Sequence, residues 1–347
     1  MPKELIVIDS INDLPFDIEI IAEDLIVPWA IALSEDGRLF FTERPGRVRV
    51  IENGILMEQP VITLEPPFVS KGESGLLGIA LDPDFIQNHY IYIMYTYEDG
   101  MQMYNRIVRL KEENNQAVID SILLDRIPGR MSHNGGRLKI GPDQKLYITT
   151  GDAGYRMDAQ SLESLVGKIL RVNLDGSIPS DNPFENSPIY SYGHRNSQGI
   201  TWNSNGIMYA SEHGQSAYDE INIIEPGVNY GWPLLQGNET AEGYEEPILH
   251  SGEITWAPSG ITYIDQGPWQ GKLLVATLRG RQLLVITLTE DGRSVYDIES
   301  WFLGEFGRLR EVMQAKDGTI YLTTSNQDGR AIPRDGDDII IKLTPRP

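Results

Sequence analysis

The sequence predicts an all-β protein, a six-bladed β-propeller with long loops on the face that carries the chemistry. Two observations predict it. A turn-then-strand phrase returns six times along the chain, and helical periodicity is nearly absent. The first copy is Asp36-Gly37-Arg38-Leu39-Phe40-Phe41, and the second is Asp82-Pro83-Asp84-Phe85 leading to Tyr90-Ile91-Tyr92-Ile93. Then come Pro142-Asp143-Gln144-Lys145-Leu146-Tyr147-Ile148 and Asn205-Gly206-Ile207-Met208-Tyr209. Gln270-Gly271-Lys272-Leu273-Leu274-Val275 and Asp317-Gly318-Thr319-Ile320-Tyr321-Leu322 complete the series. Each is an Asp/Asn/Gly turn feeding a strand of aromatic and aliphatic residues. A spacing of roughly fifty to sixty residues is that of propeller blades.

The only helix-like stretch is Ser161-Leu162-Glu163-Ser164-Leu165-Val166, enough for one short turn. A pair of β-sandwiches is the competing architecture. The recurrence of one phrase, without a linker-like change of composition, favours one domain over 1–347, with about 20–345 the propeller proper. Asp152 to Asn182 and Tyr230 to Pro258 are then expected to be loops on one face, where such folds keep their function.

Composition narrows the function. Fifty acidic residues against 29 basic ones give a net charge of −21, and no Lys/Arg cluster offsets it, so no nucleic-acid partner is expected. The apolar stretch Leu25 to Leu33 contains Pro28 and is too short to span a bilayer, so no transmembrane segment is expected. Met1-Pro2-Lys3-Glu4-Leu5 is not followed by a leader-like apolar segment. With no cysteine, there is neither a disulfide nor a thiolate site.

Five segments carry chemistry. Glu73, in Gly72-Glu73-Ser74-Gly75, stands at the loop end of a strand expected over Leu76 to Leu81. His133 lies in Ser132-His133-Asn134-Gly135-Gly136-Arg137, framed by glycines that let the backbone approach a ligand. Asp152 ends the strand Leu146 to Thr150, placed where an antiparallel blade would bring it near His133 to orient the imidazole and support its basicity. Gly193-His194-Arg195-Asn196-Ser197-Gln198-Gly199 is a second glycine-framed knot, and Arg195 reads as an anion clamp. Ser211-Glu212-His213-Gly214-Gln215-Ser216-Ala217-Tyr218-Asp219-Glu220, followed by Asn229-Tyr230-Gly231-Trp232-Pro233, is rich in the oxygen ligands that Ca2+ takes, without EF-hand spacing. Arg308-Leu309-Arg310 puts two guanidinium groups on one face of a strand. They repel unless an anion or an acidic neighbour sits between them, and Arg279-Gly280-Arg281 is a looser relative.

In this order, from about Val27 to Leu343, these segments resemble the soluble pyrroloquinoline-quinone (PQQ)-dependent glucose and aldose sugar dehydrogenases. The resemblance implies a six-bladed propeller that oxidises aldose sugars to lactones and passes electrons to a dye or respiratory acceptor. It implies PQQ and Ca2+ as cofactors. His133 matches the general base, Asp152 the carboxylate that supports it, and Arg195 and Asn196 residues that contact the quinone. Arg308 and Arg310 match cofactor-clamping arginines, and Arg279 stands where the family often has a lysine. Gly214 and Gln215 match backbone ligands of the cofactor's Ca2+; Glu220 and the Tyr230 carbonyl resemble part of a second calcium site. Two positions differ from the pattern: Ser132 replaces an aspartate, and Glu73 replaces a glutamine that faces the cofactor.

The family points to an extracytoplasmic location, with any leader absent from this chain. A Ca2+-dependent lactone hydrolase on a similar propeller is an alternative, opposed by Arg195, Arg308 and Arg310. A non-catalytic propeller that binds sugar or protein is another.

Overall fold

A computed structural model describes residues 4–8 and 11–346, almost all of them in strands and the turns between. Six sheets follow one another along the chain, the blades of a six-bladed β-propeller. The first contains Pro28–Leu33, Leu39–Glu43, Arg47–Glu52 and Ile55–Leu56, with Ile62–Thr63 added to its third strand. The second contains Leu76–Leu81, Tyr90–Asp99, Gln102–Glu113 and Gln116–Gly129. The third contains Leu138–Ile140, Leu146–Thr150, Lys168–Val172 and Ile189–Tyr192.

The fourth is built from Ser197–Trp202, Met208–Glu212, Glu220–Ile224 and Leu249–His250, and the fifth from Pro258–Tyr263, Lys272–Thr277, Leu283–Leu288 and Val295–Trp301. Ile6–Val7 joins the fifth in parallel. The sixth takes Leu309–Gln314, Ile320–Thr324 and Ile340–Pro345 from the end of the chain and its outer strand, Phe16–Ala22, from the beginning. Each of the six sequence phrases feeds the second strand of one sheet.

These second strands do not alternate apolar with polar, because both their faces are covered. Leu146–Thr150 and Leu39–Glu43 are buried at every position. The polar members of such strands must therefore find partners, and Thr150 Oγ1 donates to the Leu165 carbonyl at 2.6 Å.

The chain divides into two compact units. One comprises Ile26–Asn196 and Pro226–Pro233, and so holds the first three sheets. Its core runs through Trp29, Phe40, Leu76 and Ile91, and through Tyr92, Ile107, Leu138 and Leu170. The other comprises Met1–Leu25, Ser197–Glu225 and Leu234–Pro347, with the remaining sheets. Its core is built on Tyr209, Ile221, Trp256 and Leu273, and on Phe16, Trp269, Val285 and Leu322.

Three local expectations need correction, the first being that Tyr230 to Pro258 is not all loop, since it holds the short strand Leu249–His250 and reaches the start of Pro258–Tyr263. The short helical turn is a 3-10 turn at Arg156–Gln160, just before the stretch 161–166. The segment Asp152 to Asn182 is not all loop, for it contains the strand Lys168–Val172. A lysine at the first position hid that strand, because its Nζ is buried and donates to the carbonyls of Asp158, Ala159 and Val166 at 2.8 to 2.9 Å. A further helical turn, Phe85–Asn88, closes on the αL residue His89.

Candidate active site

His133 leaves the strand Gln116–Gly129 on a loop and adopts φ +56°, a left-handed conformation that costs a non-glycine residue energy. Neighbouring contacts hold it there. Its N–H donates to Glu73 Oε2 at 3.1 Å, and its carbonyl accepts from Ala153 N at 3.0 Å. Glycine is required beside it: a Cβ on Gly151 would stand 2.0 Å from the His133 carbonyl oxygen. Gly135, at φ +65°, donates its N–H to Asn196 Oδ1 at 3.0 Å. Asn196 therefore ties the second knot to the first.

The imidazole is held from both sides. Nδ1 is 2.8 Å from Asp152 Oδ1 and Nε2 is 3.1 Å from Arg195 Nη2. A guanidinium only donates and an ionised carboxylate only accepts. The neutral ring is thus assigned the Nδ1–H tautomer, with the Nε2 lone pair toward Arg195.

Asp152 is fully buried and accepts from Gly154 N on Oδ1 and from Trp232 Nε1 on Oδ2, at 2.8 and 2.9 Å. Burial pushes its carboxyl up, but the hydrogen bonds from His133, Gly154 and Trp232 outweigh this and hold it below the usual range. Arg195 is 8% exposed, and its guanidinium lies 5.3 Å from the Trp232 ring centroid. His194, the neighbour of Arg195, is fully buried: its Nε2 meets Ser191 Oγ at 2.8 Å and the ring stacks on Tyr230 at 4.7 Å.

In the other unit, Arg308 and Arg310 are both buried and turn toward Asp328. Arg308 contacts Asp328 Oδ2 through Nε at 3.0 Å and Nη2 at 2.8 Å; Arg310 Nη2 is 3.5 Å from the same oxygen. Arg310 Nε also donates to Ser325 Oγ at 3.0 Å. This is the acidic neighbour that two same-face arginines require. Burial raises the Asp328 carboxyl, but Arg310 and Arg308 overcome that and hold it low. Arg279 is exposed, and its N–H donates to the Trp256 carbonyl at 3.0 Å.

The expected calcium residues divide. In the second unit, Gly214 N donates to the buried Asp219, whose other oxygen accepts from Thr255 Oγ1 and from the N–H groups of Trp256 and Ala257. That carboxylate shapes the loop carrying Gly214 and the exposed Gln215. Glu220 sits opposite Glu212 across adjacent strands, and burial, then Glu212, push its carboxyl up to about 8. A divalent cation would offset that charge, so Glu220 fits a calcium ligand. Tyr230 belongs to the first unit, where its N–H donates to the Tyr192 carbonyl at 2.9 Å. Among the described residues no cluster of His, Asp and Glu side chains forms a metal site by itself.

Sequence reasoning did not single out Asp328 or Lys168, and named Asp219 and Trp232 only as members of the oxygen-rich segments, without a role of their own. The signals were weak: an Asp-Gly turn at Asp328-Gly329, and a tryptophan in the Asn-Tyr-Gly-Trp-Pro run.

An imidazole held between a carboxylate and an arginine is carried here on a six-bladed β-propeller, and the fold is that of the β-propeller sugar dehydrogenases. The chain belongs to the Glucose / Sorbosone dehydrogenase family, whose profile spans residues 25–334. It is 31% identical to the aldose sugar dehydrogenase YliI of Escherichia coli K12, over 95% of this chain and 93% of that protein. It is 35% identical to quinoprotein glucose dehydrogenase B of Acinetobacter calcoaceticus over 76% of this chain, spanning only 64% of that relative's length. The PQQ-bound aldose sugar dehydrogenase of Streptomyces coelicolor superposes with a TM-score of 0.87 at 36% identity, covering 95% of this chain and 98% of the other. Among the described residues no helix is long and apolar enough to cross a membrane.

Proposed function

We propose that the protein oxidises aldose sugars at the anomeric carbon to lactones, with PQQ and Ca2+, outside the cytoplasm. The observation that carries this is the imidazole of His133 held between Asp152 and Arg195 in a chain of this family. A bound quinone would supply the acceptor for the hydride leaving the sugar carbon. Ca2+ would be held at the Gly214 and Gln215 carbonyls as a Lewis acid, and Glu220 would serve a second ion. Arg308 and Arg310 would take carboxylate groups, as would Arg279 from its exposed loop; Arg195 and Asn196 would contact the ring, and Glu73 lies beside the base.

The residues of the chain then act as follows. The anomeric hydroxyl displaces Arg195 from His133 Nε2, and that nitrogen takes the hydroxyl proton. Asp152, ionised and fixed on Nδ1, stabilises the imidazolium formed. Arg195 is then a like-charged neighbour of the ring, so it turns toward negative charge developing elsewhere.

The test is reconstitution: PQQ and Ca2+ are added to purified protein, and dye reduction is followed with a panel of aldoses. Turnover with at least one aldose, dependent on both additions, is expected. Absence of both quinone binding and dye reduction would overturn the reading.

A further inference from the structure

Trp232 has no part in the chemistry just described, yet it touches both partners of the base. It is 6% exposed, and its indole N–H can only donate. That N–H is spent on Asp152 Oδ2 at 2.9 Å, the oxygen turned away from His133. The ring faces the guanidinium of Arg195 at 5.3 Å and that of Arg156 at 5.6 Å. The charged groups around the imidazole itself are Asp152 at Nδ1, Arg195 at Nε2, and Glu73 at the backbone N–H.

The indole is delivered by a braced backbone. Trp232 N donates to the Gly193 carbonyl at 2.9 Å, and its own carbonyl accepts from Gln160 Nε2 at 2.6 Å. Gln160 also exchanges two hydrogen bonds with the Asn229 side chain, at 3.0 and 2.7 Å. The segment Pro226–Pro233 is thereby attached to the unit that holds the base.

Without the indole N–H, Asp152 Oδ2 would be buried with no donor, a state a carboxylate relieves by rotating or by taking up a proton. Either change weakens its hold on His133 Nδ1. We propose that Trp232 is a positioning residue that locks Asp152 and Arg195 onto opposite nitrogens of His133 and so keeps the ring in one tautomer. Its kinetic consequence rests on the sugar-oxidising reading; its spectroscopic consequence does not.

The test uses the full chain labelled with 15N-histidine, free of quinone and sugar, at about pH 9, where an ordinary imidazole is neutral. With five histidines in the chain, comparison with His133→Gln assigns the resonance. The native protein is expected to show one protonated Nδ1 and one bare Nε2. Trp232→Phe, which keeps a ring beside Arg195, is expected to show the averaged shifts of two tautomers. In the reconstituted enzyme it should lose about tenfold in kcat, the worth of one hydrogen bond, with the sugar KM within about twofold.

An unchanged single-tautomer pattern in Trp232→Phe would overturn the proposal. Should that variant fail to fold, Gln160→Leu takes its place, and a native tautomer pattern there overturns it equally. A native protein that shows the tautomer difference but reduces no dye with any aldose defeats the sugar reading and leaves the positioning role supported.

Discussion

Glu73 accepts the backbone N–H of His133 at 3.1 Å, across 60 positions of sequence. A carboxylate in an otherwise unexpected place thereby braces a residue at φ +56°. Glu73 N in turn donates to the Met131 carbonyl at 2.7 Å, so the two loops are joined twice.

Glu73→Gln keeps an acceptor oxygen and is expected to retain kcat within about threefold. Glu73→Ala leaves a strained N–H unmatched and is expected to cost about 1–3 kcal/mol of stability. Thermal melts of the two variants, side by side with native protein, check this. Equal melting temperatures for native protein and Glu73→Ala would remove the brace.

For the base itself, His133→Ala is expected to lower turnover by about 10^2 to 10^4 while leaving quinone binding intact. Asp152→Asn is expected to fall in a similar range, because an amide can present its NH2 group to Nδ1 and favour the wrong tautomer. Stopped-flow dye reduction and quinone titration by absorbance separate the two effects. Undiminished turnover in His133→Ala would take the base role from it.

Asp328 sets a pH dependence whose sign is fixed. Its folded carboxyl is held below the unfolded value of about 3.9 by Arg310 and Arg308 despite burial. The stability it contributes is therefore complete above that value and is lost as pH falls through the lower folded one. Asp328→Asn should melt below native protein at pH 7, and the gap should narrow as pH drops under about 4. A gap that stays constant across this range would contradict the pairing.

Lys168 is fully buried, and burial pushes its ammonium down to about 7 while three carbonyls accept from Nζ. Lys168→Met fills similar space but strands those carbonyls, at a cost of about 3 kcal/mol or more. Because two of the carbonyls belong to Asp158 and Ala159, the 3-10 turn carrying Gln160 should loosen. Hydrogen exchange in that turn, with chemical denaturation, reads both consequences. A melt unchanged from native would show that the three bonds are dispensable.

Much of the architecture was legible because it is local. An Asp/Asn/Gly turn followed by apolar residues is decided by neighbours in sequence, and each of the six phrases became the second strand of a sheet. Lys168–Val172 was not legible, since its first residue satisfies an ammonium with carbonyls that only folding brings together. The pairing of His133 with Asp152 was readable from strand geometry, being a contact across only 19 positions of sequence.

By itself the sequence determined an all-β repeat protein, its glycine-framed knots, and the candidate histidine, carboxylate and arginines they carry. Only the tertiary structure decided how those groups are held. Trp232 reaches Asp152 across 80 positions, and Asp328 is the acid that lies against both Arg308 and Arg310. The physical reason is that a buried carboxylate takes its partners from whatever donors chain closure places around it. Turn chemistry, by contrast, is settled within a few residues.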